Sequence, residues 1–320
     1  MFEVIGQDKL KEIFNRMYEE GKVVNSYILK GPKGIGKKNF ALYMAAKILC
    51  ENNLACGKCR ACVKIKHGNH PDVIILSKDE KSIGVEDIEE IIEKIQIKPY
   101  EGDKKVVIIE NFENATIQAQ NKFLKTLEEP VKNTIIILTA NNFNTILETI
   151  ISRCQIFTLN RADALEIEKY LIKKGVDSIK AKIFAKLSDG IVGSCKKFLD
   201  EDYIKLRQQV IDIAKKIHKI EGLEILDLVK FFNENKESIE DILEQMIIWY
   251  RDILIYKLTY NKDMIINEDY FEDIIEESKI LSYNKLNGII NIIKKTKQNL
   301  EYNVNFQLSI EAMLLNIQEV

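Results

Sequence analysis

Five short, predominantly apolar runs, spaced by segments of helical period, constrain this chain more than any other feature. They are Ser26-Tyr-Ile-Leu-Lys30, Val73-Ile-Ile-Leu76, Val106-Val-Ile-Ile109, Ile135-Ile-Ile-Leu138 and Ile156-Phe-Thr-Leu159. Between them, Leu10, Ile13, Phe14 and Met17 recur at helical spacing over 7–20, as do Phe40, Met44 and Ile48 over 37–50. Ile88, Ile91, Ile92 and Ile95 do the same over 85–97, and a further helix is expected over about 115–128. A strand with no polar side has no face to give to water, so both its faces must be covered. Alternation with helices supplies the covers, and the product is a parallel sheet between helical layers. Residues 1–160 are therefore expected to form an α/β domain, followed by an all-α region.

Punctuation supports that division. All four prolines (Pro32, Pro71, Pro99, Pro130) precede residue 131, and after Gly222 the one remaining glycine is Gly288. From about 163 the chain reads as helix after helix, with weak breaks at Gly175, Gly190–Gly193 and Gly222. Ser238-Ile-Glu-Asp241 matches a capping box ahead of the apolar stripe Ile242, Met246, Trp249 and Ile253. Most of this tail is expected to be a packed helical core.

Lys plus Arg number 47 and Asp plus Glu 49, a formal net charge of -2, which excludes a uniformly basic nucleic-acid binder but not a basic face. No run approaches the roughly 18 apolar residues of a membrane span. The start, MFEVIGQDKLKEIF, has no cleavable signal pattern. The expectation is a soluble, cytoplasmic protein.

Gly31-Pro-Lys-Gly-Ile-Gly-Lys37-Lys38 follows one apolar run and opens a helix, the context in which a glycine-rich loop cradles phosphate. Gly31, Gly34 and Gly36 let backbone N–H groups curl around phosphate oxygens, helped by the helix N-terminus, and Lys37 would reach the β/γ-phosphates. The pattern normally ends in Ser or Thr, whose hydroxyl ligates Mg²⁺. Here the residue is Lys38. An ammonium about 4 Å from a dication would be repelled by at most ~8 kcal/mol at an effective dielectric near 20. Further on, an ATPase of this type carries an Asp for Mg²⁺ at the end of an apolar strand, then a Glu that activates water. Here Glu110 and Asn111 stand there, and Asn111 cannot act as a general base near neutral pH. Two independent parts of a hydrolytic site are altered together, which points to a fold that has lost the reaction.

Cys50, Cys56, Cys59 and Cys62 follow a C-x5-C-x2-C-x2-C spacing, suited to one tetrahedral Zn²⁺. A disulfide pair is disfavoured in a reducing compartment, and the polar surroundings disfavour simple core cysteines. Four thiolates leave no position open for catalysis, so the zinc would be structural. Cys154 and Cys195 stand alone as core thiols, and His67 and His70 are fallback ligands.

Taken in order, these pieces resemble a known family. They are Val4-Ile-Gly-Gln7, the phosphate loop, the four-cysteine module, His70-Pro-Asp72, the strand ending at Glu110, Ala119-Gln-Asn-Lys-Phe-Leu-Lys-Thr-Leu-Glu-Glu-Pro130, and Ser152-Arg-Cys154. The chain resembles the subunits of the bacterial DNA polymerase III clamp loader, within the AAA+ superfamily. Specific motifs carry the resemblance over the first 160 residues, and architecture and length carry it beyond.

Hydrolysing members keep Ser or Thr after the loop lysine, an Asp-Glu pair after the strand, and a γ-phosphate-sensing Arg in a Gly-Ser-x-Arg pattern. Here Lys38, Glu110-Asn111 and Lys196 of Gly193-Ser-Cys-Lys196 replace them. These departures fit the δ′ branch, whose nucleotide site is degenerate, as does the lack of a polymerase-binding tail after the helical region. The resemblance implies an AAA+ domain over 1–160 with its zinc module at 50–62, a helical lid over 161–205 and an oligomerising helical collar over 206–320. It implies an open ring with motor subunits (γ/τ) and δ, as part of the DNA polymerase III holoenzyme, loading a sliding clamp onto primed DNA. Within it, Arg153 would complete a neighbour's ATP site, and Asn141 occupies the family's sensor position. ATP binding by this chain is expected to be weak or absent. Glu128 and Glu129 read as a solvated helix end with no catalytic part.

Two rival readings follow from the same residues. One is a divergent ATP-hydrolysing motor subunit (γ/τ-like) using Glu110 for Mg²⁺; the other is a zinc-dependent nucleic-acid-binding module outside any ring. Between them lies a loop that binds nucleotide without cleaving it. Read alone, Arg153 would be a surface ion pair.

Overall fold

The computed structural model describes residues 2–78, 81–218, 224–302 and 304–319. The expected break at Gly222 lies outside them. The chain divides into two compact units, one of residues 1–175 and 188–195, the other of 176–187 and 196–320. The segment expected as a lid, 161–205, thus contributes to both.

The first unit is built on five strands, β1 (Ser26–Lys30), β2 (Val73–Leu76), β3 (Lys105–Ile109), β4 (Thr134–Ala140) and β5 (Gln155–Thr158). Its helices are α1 (Asp8–Glu19), α2 (Lys37–Leu49), α3 (Arg60–Lys66), α4 (Val85–Gln96), α5 (Ile117–Glu128), α6 (Glu148–Ile151) and α7 (Ala164–Lys173). The strands form one parallel sheet in the order β2-β3-β4-β1-β5. Side chains alternate between its faces, as the pleat requires. Tyr27, Leu29, Val106, Ile108, Ile135, Ile137 and Phe157 pack with Phe14 of α1 and Phe40 and Met44 of α2. Ile28, Val107, Ile109, Ile136 and Leu138 pack instead with Ile88 and Ile91 of α4 and Phe123 of α5. The sheet is covered on both faces, as the uniform apolar runs predict. β5 lies at an edge and begins one residue earlier than expected, with Ile156 part-exposed.

Several sequence motifs prove to be joints of this unit. The Gln7 side chain clamps the chain just past β5: its amide donates to Asn160 O, and Asn160 N–H donates back to its Oε1 at 3.1 Å. Asp72 is fully buried and accepts the backbone N–H groups of Tyr100, Glu101 and Gly102 at 2.6, 2.8 and 3.1 Å. The Thr116 hydroxyl caps α5 by accepting from Ala119 N–H at 3.1 Å.

The second unit is all-helical: α8 (Ser178–Leu187), α9 (Glu201–Lys216), α10 (Glu224–Glu234), α11 (Ile239–Thr259), α12 (Phe271–Ile280), α13 (Tyr283–Glu301) and α14 (Phe306–Glu319). Ile242, Met246, Trp249 and Ile253 of α11 are fully buried at its centre, as their spacing predicts. The capping box expected at Ser238 does not form. A short 3-10 turn over Lys236–Ser238 runs into α11, and the Ser238 side chain makes no cap bond. Asp241 instead forms an ion pair with Lys197 at 2.6 Å. Among the described residues no helix is long and apolar enough to cross a membrane.

Candidate functional site

Three adjacent strands deliver the site residues at their carboxyl ends, where open α/β sheets bind ligands. The glycine-rich loop follows β1, Glu110 follows β3 and Asn141 follows β4. Gly34 and Gly36 have φ of +84° and +104°, a left-handed region that a Cβ makes costly. Gly34 carries a second demand. Its carbonyl accepts from Gly193 N–H at 2.8 Å, and a Cβ on Gly193 would lie 2.6 Å from the Gly34 Cα. Gly193 thus holds the loop tip through backbone alone, a role the sequence pattern around it does not announce.

The loop lysine is fully engaged by its own chain. Lys37 Nζ donates to Gly31 O at 2.6 Å, Pro32 O at 3.0 Å and Asn141 Oδ1 at 2.7 Å. An ammonium has three N–H donors, so each has an acceptor. Burial pushes its pKa down to about 8, against an upward pull from the nearby Glu113 carboxylate. Glu113, which the sequence reading did not single out, is the third link. Its Oε1 accepts both the backbone N–H of Asn141, at 3.0 Å, and the Asn141 side-chain amide. The signal for it is weak: one carboxylate, four residues past the end of β3.

Lys38 and Glu110, two of the departures from a hydrolytic site, meet each other. Their charged atoms are 2.7 Å apart, with the Lys38 side chain 53% exposed and that of Glu110 12%. Asn111 has a backbone role: its φ is +51°, a conformation asparagine tolerates better than most residues, and its N–H donates to Thr139 Oγ1 at 3.0 Å. Lys196 is exposed and belongs to the helical unit.

The four cysteines converge. Cys50–Cys56, Cys50–Cys59 and Cys56–Cys62 sulfurs lie 3.6, 3.8 and 4.0 Å apart, and all four ligand atoms lie within 4.8 Å of one another. A tetrahedron with Zn–S arms of about 2.3 Å has edges of roughly 3.8 Å, so the cluster fits a metal ion of that size. Backbone N–H groups turn inward as well: Lys58 and Cys59 donate to Cys56 Sγ, and Cys62 donates to Cys59 Sγ. For Cys50, burial opposes ionisation, but the N–H groups of Cys56, Leu54 and Asn52 prevail and bring its pKa down to about 6. His70 is turned to another task, its Nδ1 accepting from Asp72 N–H, and His67 is exposed at the end of α3. Cys154 and Cys195 stand apart from the cluster, their thiols pushed up by burial to about 12 and about 11.

Arg153, in the turn between α6 and β5, makes its contacts away from the glycine-rich loop. Its Nη2 lies 2.8 Å from Glu128 Oε1, and its Nη1 donates to Thr149 O at 2.8 Å. Glu128 is therefore a partner of Arg153 and not merely a solvated helix end.

The family described as DNA polymerase III, delta subunit matches residues 6–163, and that described as DNA polymerase III, delta subunit, C terminal matches residues 201–319. The chain is 29% identical over 319 residues to DNA polymerase III subunit delta′ of Bacillus subtilis, covering 98% of this chain and 96% of that one. It is 30% identical over 248 residues to the delta′ subunit of Pseudomonas aeruginosa, covering 75% and 74%. DNA polymerase III subunit tau of Bacillus subtilis is 25% identical over 346 residues, with 98% of this chain but 61% of that protein covered. The chain belongs to the δ′ family of DNA polymerase III clamp-loader subunits.

Proposed function

We propose that this chain is a clamp-loader subunit that does not itself hydrolyse ATP and acts on the ATP held by its neighbours. One observation supports the reading: Lys38 and Glu110, at the two sequence positions from which a hydrolysing P-loop protein draws its Mg²⁺ ligands, form an ion pair with each other at 2.7 Å. The ammonium supplies the positive charge there, so the carboxylate is compensated without a metal. The pair offers neither the hydroxyl ligand nor a base for water. With the donors of Lys37 already engaged, a phosphate must displace Asn141 or a loop carbonyl to be bound, so nucleotide binding is weak or absent.

Arg153 is the residue through which the chain would act. It is part-exposed, and a guanidinium aimed at a transferring γ-phosphate stabilises the developing charge, worth ~10³–10⁵ in rate. In this reading residues 1–160 form the AAA+ domain, 161–205 the lid and 206–320 the collar. The partners are the motor subunits (γ/τ) and δ, and the ring loads a sliding clamp onto primed DNA in the cytoplasm. Cys50, Cys56, Cys59 and Cys62 hold one structural Zn²⁺, which ties the chain between α2 and α3 to the sheet.

The test is ATP turnover by the purified chain, alone and mixed with the motor subunit, δ and primed DNA. The chain alone is expected to be silent, and Arg153→Ala is expected to lower the rate of the mixture. Turnover by the chain alone that is lost on Lys37→Ala would instead make it a motor subunit with an altered site.

A further inference from the structure

The contact between Arg153 and Glu128 points to a second residue in the trans reaction. We infer that Glu128 is the positioning residue for Arg153, holding its guanidinium in the orientation offered to the neighbouring subunit. The inference rests on the trans role given to Arg153 above.

Glu128 ends α5, whereas Arg153 lies in the turn after α6, so their 2.8 Å pair joins two separate elements. The same helix fixes the other end of that segment. Gln120 of α5 donates through Nε2 to Thr145 O at 2.8 Å and accepts through Oε1 from the N–H of Leu147, the residue preceding α6, at 2.9 Å. Gln120 is fully buried and Glu128 is at the rim, so α5 grips the α6 segment once inside and once at the surface.

The place of Glu128 is not one that helix stability would select. A carboxylate in the last turn of a helix faces the negative end of the dipole. Arg153 supplies the compensating charge, but the two side chains are 42% and 37% exposed, and pairs this open contribute little to folding. Orientation is what the pair can provide. An unrestrained arginine samples many rotamers, and each contact that fixes it removes entropy otherwise lost when the phosphate is met. The described contacts are hydrogen bonds from Nη1 to Thr149 O and Ser152 Oγ and an ion pair between Nη2 and Glu128 Oε1. None of them uses Nε–H, which stays available to a phosphate oxygen. The arginine is therefore held and still able to donate.

The experiment uses the assembled complex with primed DNA, carrying this chain as wild type, Glu128→Gln, Glu128→Asp, Arg153→Ala or the Glu128→Gln/Arg153→Ala double variant. Size-exclusion chromatography checks that every variant enters the complex. Glu128→Gln is expected to lower kcat by roughly three- to tenfold with KM for ATP unchanged, the pattern of a misplaced transition-state contact. Glu128→Asp should recover part of the loss. The double variant should be no slower than Arg153→Ala, because Glu128 has no route to the reaction except through Arg153. If Arg153→Ala lowers turnover but Glu128→Gln leaves kcat unchanged or raises it, Arg153 keeps its role and the positioning inference is overturned. An additive double variant overturns it too. If Arg153→Ala itself has no effect, the trans reading fails first and takes this inference with it.

Discussion

Replacing Lys38 with threonine tests the central claim in the absence of any nucleotide. The charged atoms of Lys38 and Glu110 are 2.7 Å apart. At an effective dielectric near 20 the gross Coulomb term at that distance is about 6 kcal/mol. The lysine side chain is 53% exposed, so solvent screening and rotamer entropy reduce the net value to about 1 kcal/mol. Removing the lysine costs more than that net value, because the Glu110 side chain is only 12% exposed and loses its compensating charge. A loss of about 1–3 kcal/mol is expected for a stranded, largely buried polar group.

Threonine also brings back the hydroxyl of a Mg²⁺ site. If the metal then binds with a Kd on the order of 1 mM, 10 mM Mg²⁺ restores about 1.4 kcal/mol. For a unit of this size that corresponds to a rise in Tm of roughly 3–6 °C. The assay is thermal unfolding with and without Mg²⁺, at matched ionic strength and without chelator so that a bound zinc is undisturbed. The wild type should move by less than about 1 °C on the same scale. The Lys38→Thr/Glu110→Gln double variant should lose the Mg²⁺ response. A wild-type shift as large as that of Lys38→Thr would refute the argument, since the ammonium would then not stand where the metal goes.

Two further outcomes follow from the same geometry. Metal analysis of freshly purified protein should find one zinc per chain, and Cys59→Ser or chelation should destabilise the α/β unit by about 4 kcal/mol or more; protein purified without zinc would sink the claim. Lys37 has a folded pKa depressed from 10.5 to about 8, so the folded state sheds its proton before the unfolded state does. Stability should therefore rise with pH between about 8 and 10.5, by roughly 3 kcal/mol for this group, whereas below pH 8 this group contributes no pH dependence. Denaturant titrations of wild type and Lys37→Met across that window check it, because the variant should lack the rise.

The strands were legible because a buried parallel strand leaves an unmistakable trace: Val106–Ile109 and Ile135–Leu138 have no polar residue to spend on a wet face. The edge strand β5 is displaced by one residue, since Gln155 and Ile156 face a less demanding environment, and β4 runs past its apolar run at both ends, to Thr134 and Ala140. The cysteine cluster was legible because its ligands are close in sequence. What escaped were the partnerships between distant residues. No periodicity connects Lys38 with Glu110, Glu128 with Arg153, or Glu113 with Asn141; the first and last pairs meet at the carboxyl ends of β1, β3 and β4, and Glu128 meets Arg153 where α5 and α6 lead into β4 and β5. The Ser238 box failed for the converse reason. A local pattern was right in composition, but a preceding 3-10 turn set the backbone, and Asp241 found Lys197.

On the proposed reading, the altered positions also bear on whether a single change could bring hydrolysis back. Threonine at 38 leaves Asn111 where a hydrolysing member has the glutamate that activates water. Glutamate at 111 would have to adopt φ near +51°, where the left-handed region costs an ordinary residue about 1–2 kcal/mol. Aspartate at 110 draws the carboxylate back by one methylene and stretches its contact with Lys38, which weakens the compensation of a largely buried carboxylate unless Lys38 changes too. Each step alone passes through a less stable site, and none alone frees Lys37 from Gly31, Pro32 and Asn141. On the proposed reading the ion pair stabilises the site as it stands, so a return to hydrolysis calls for changes at 38, 110 and 111 together.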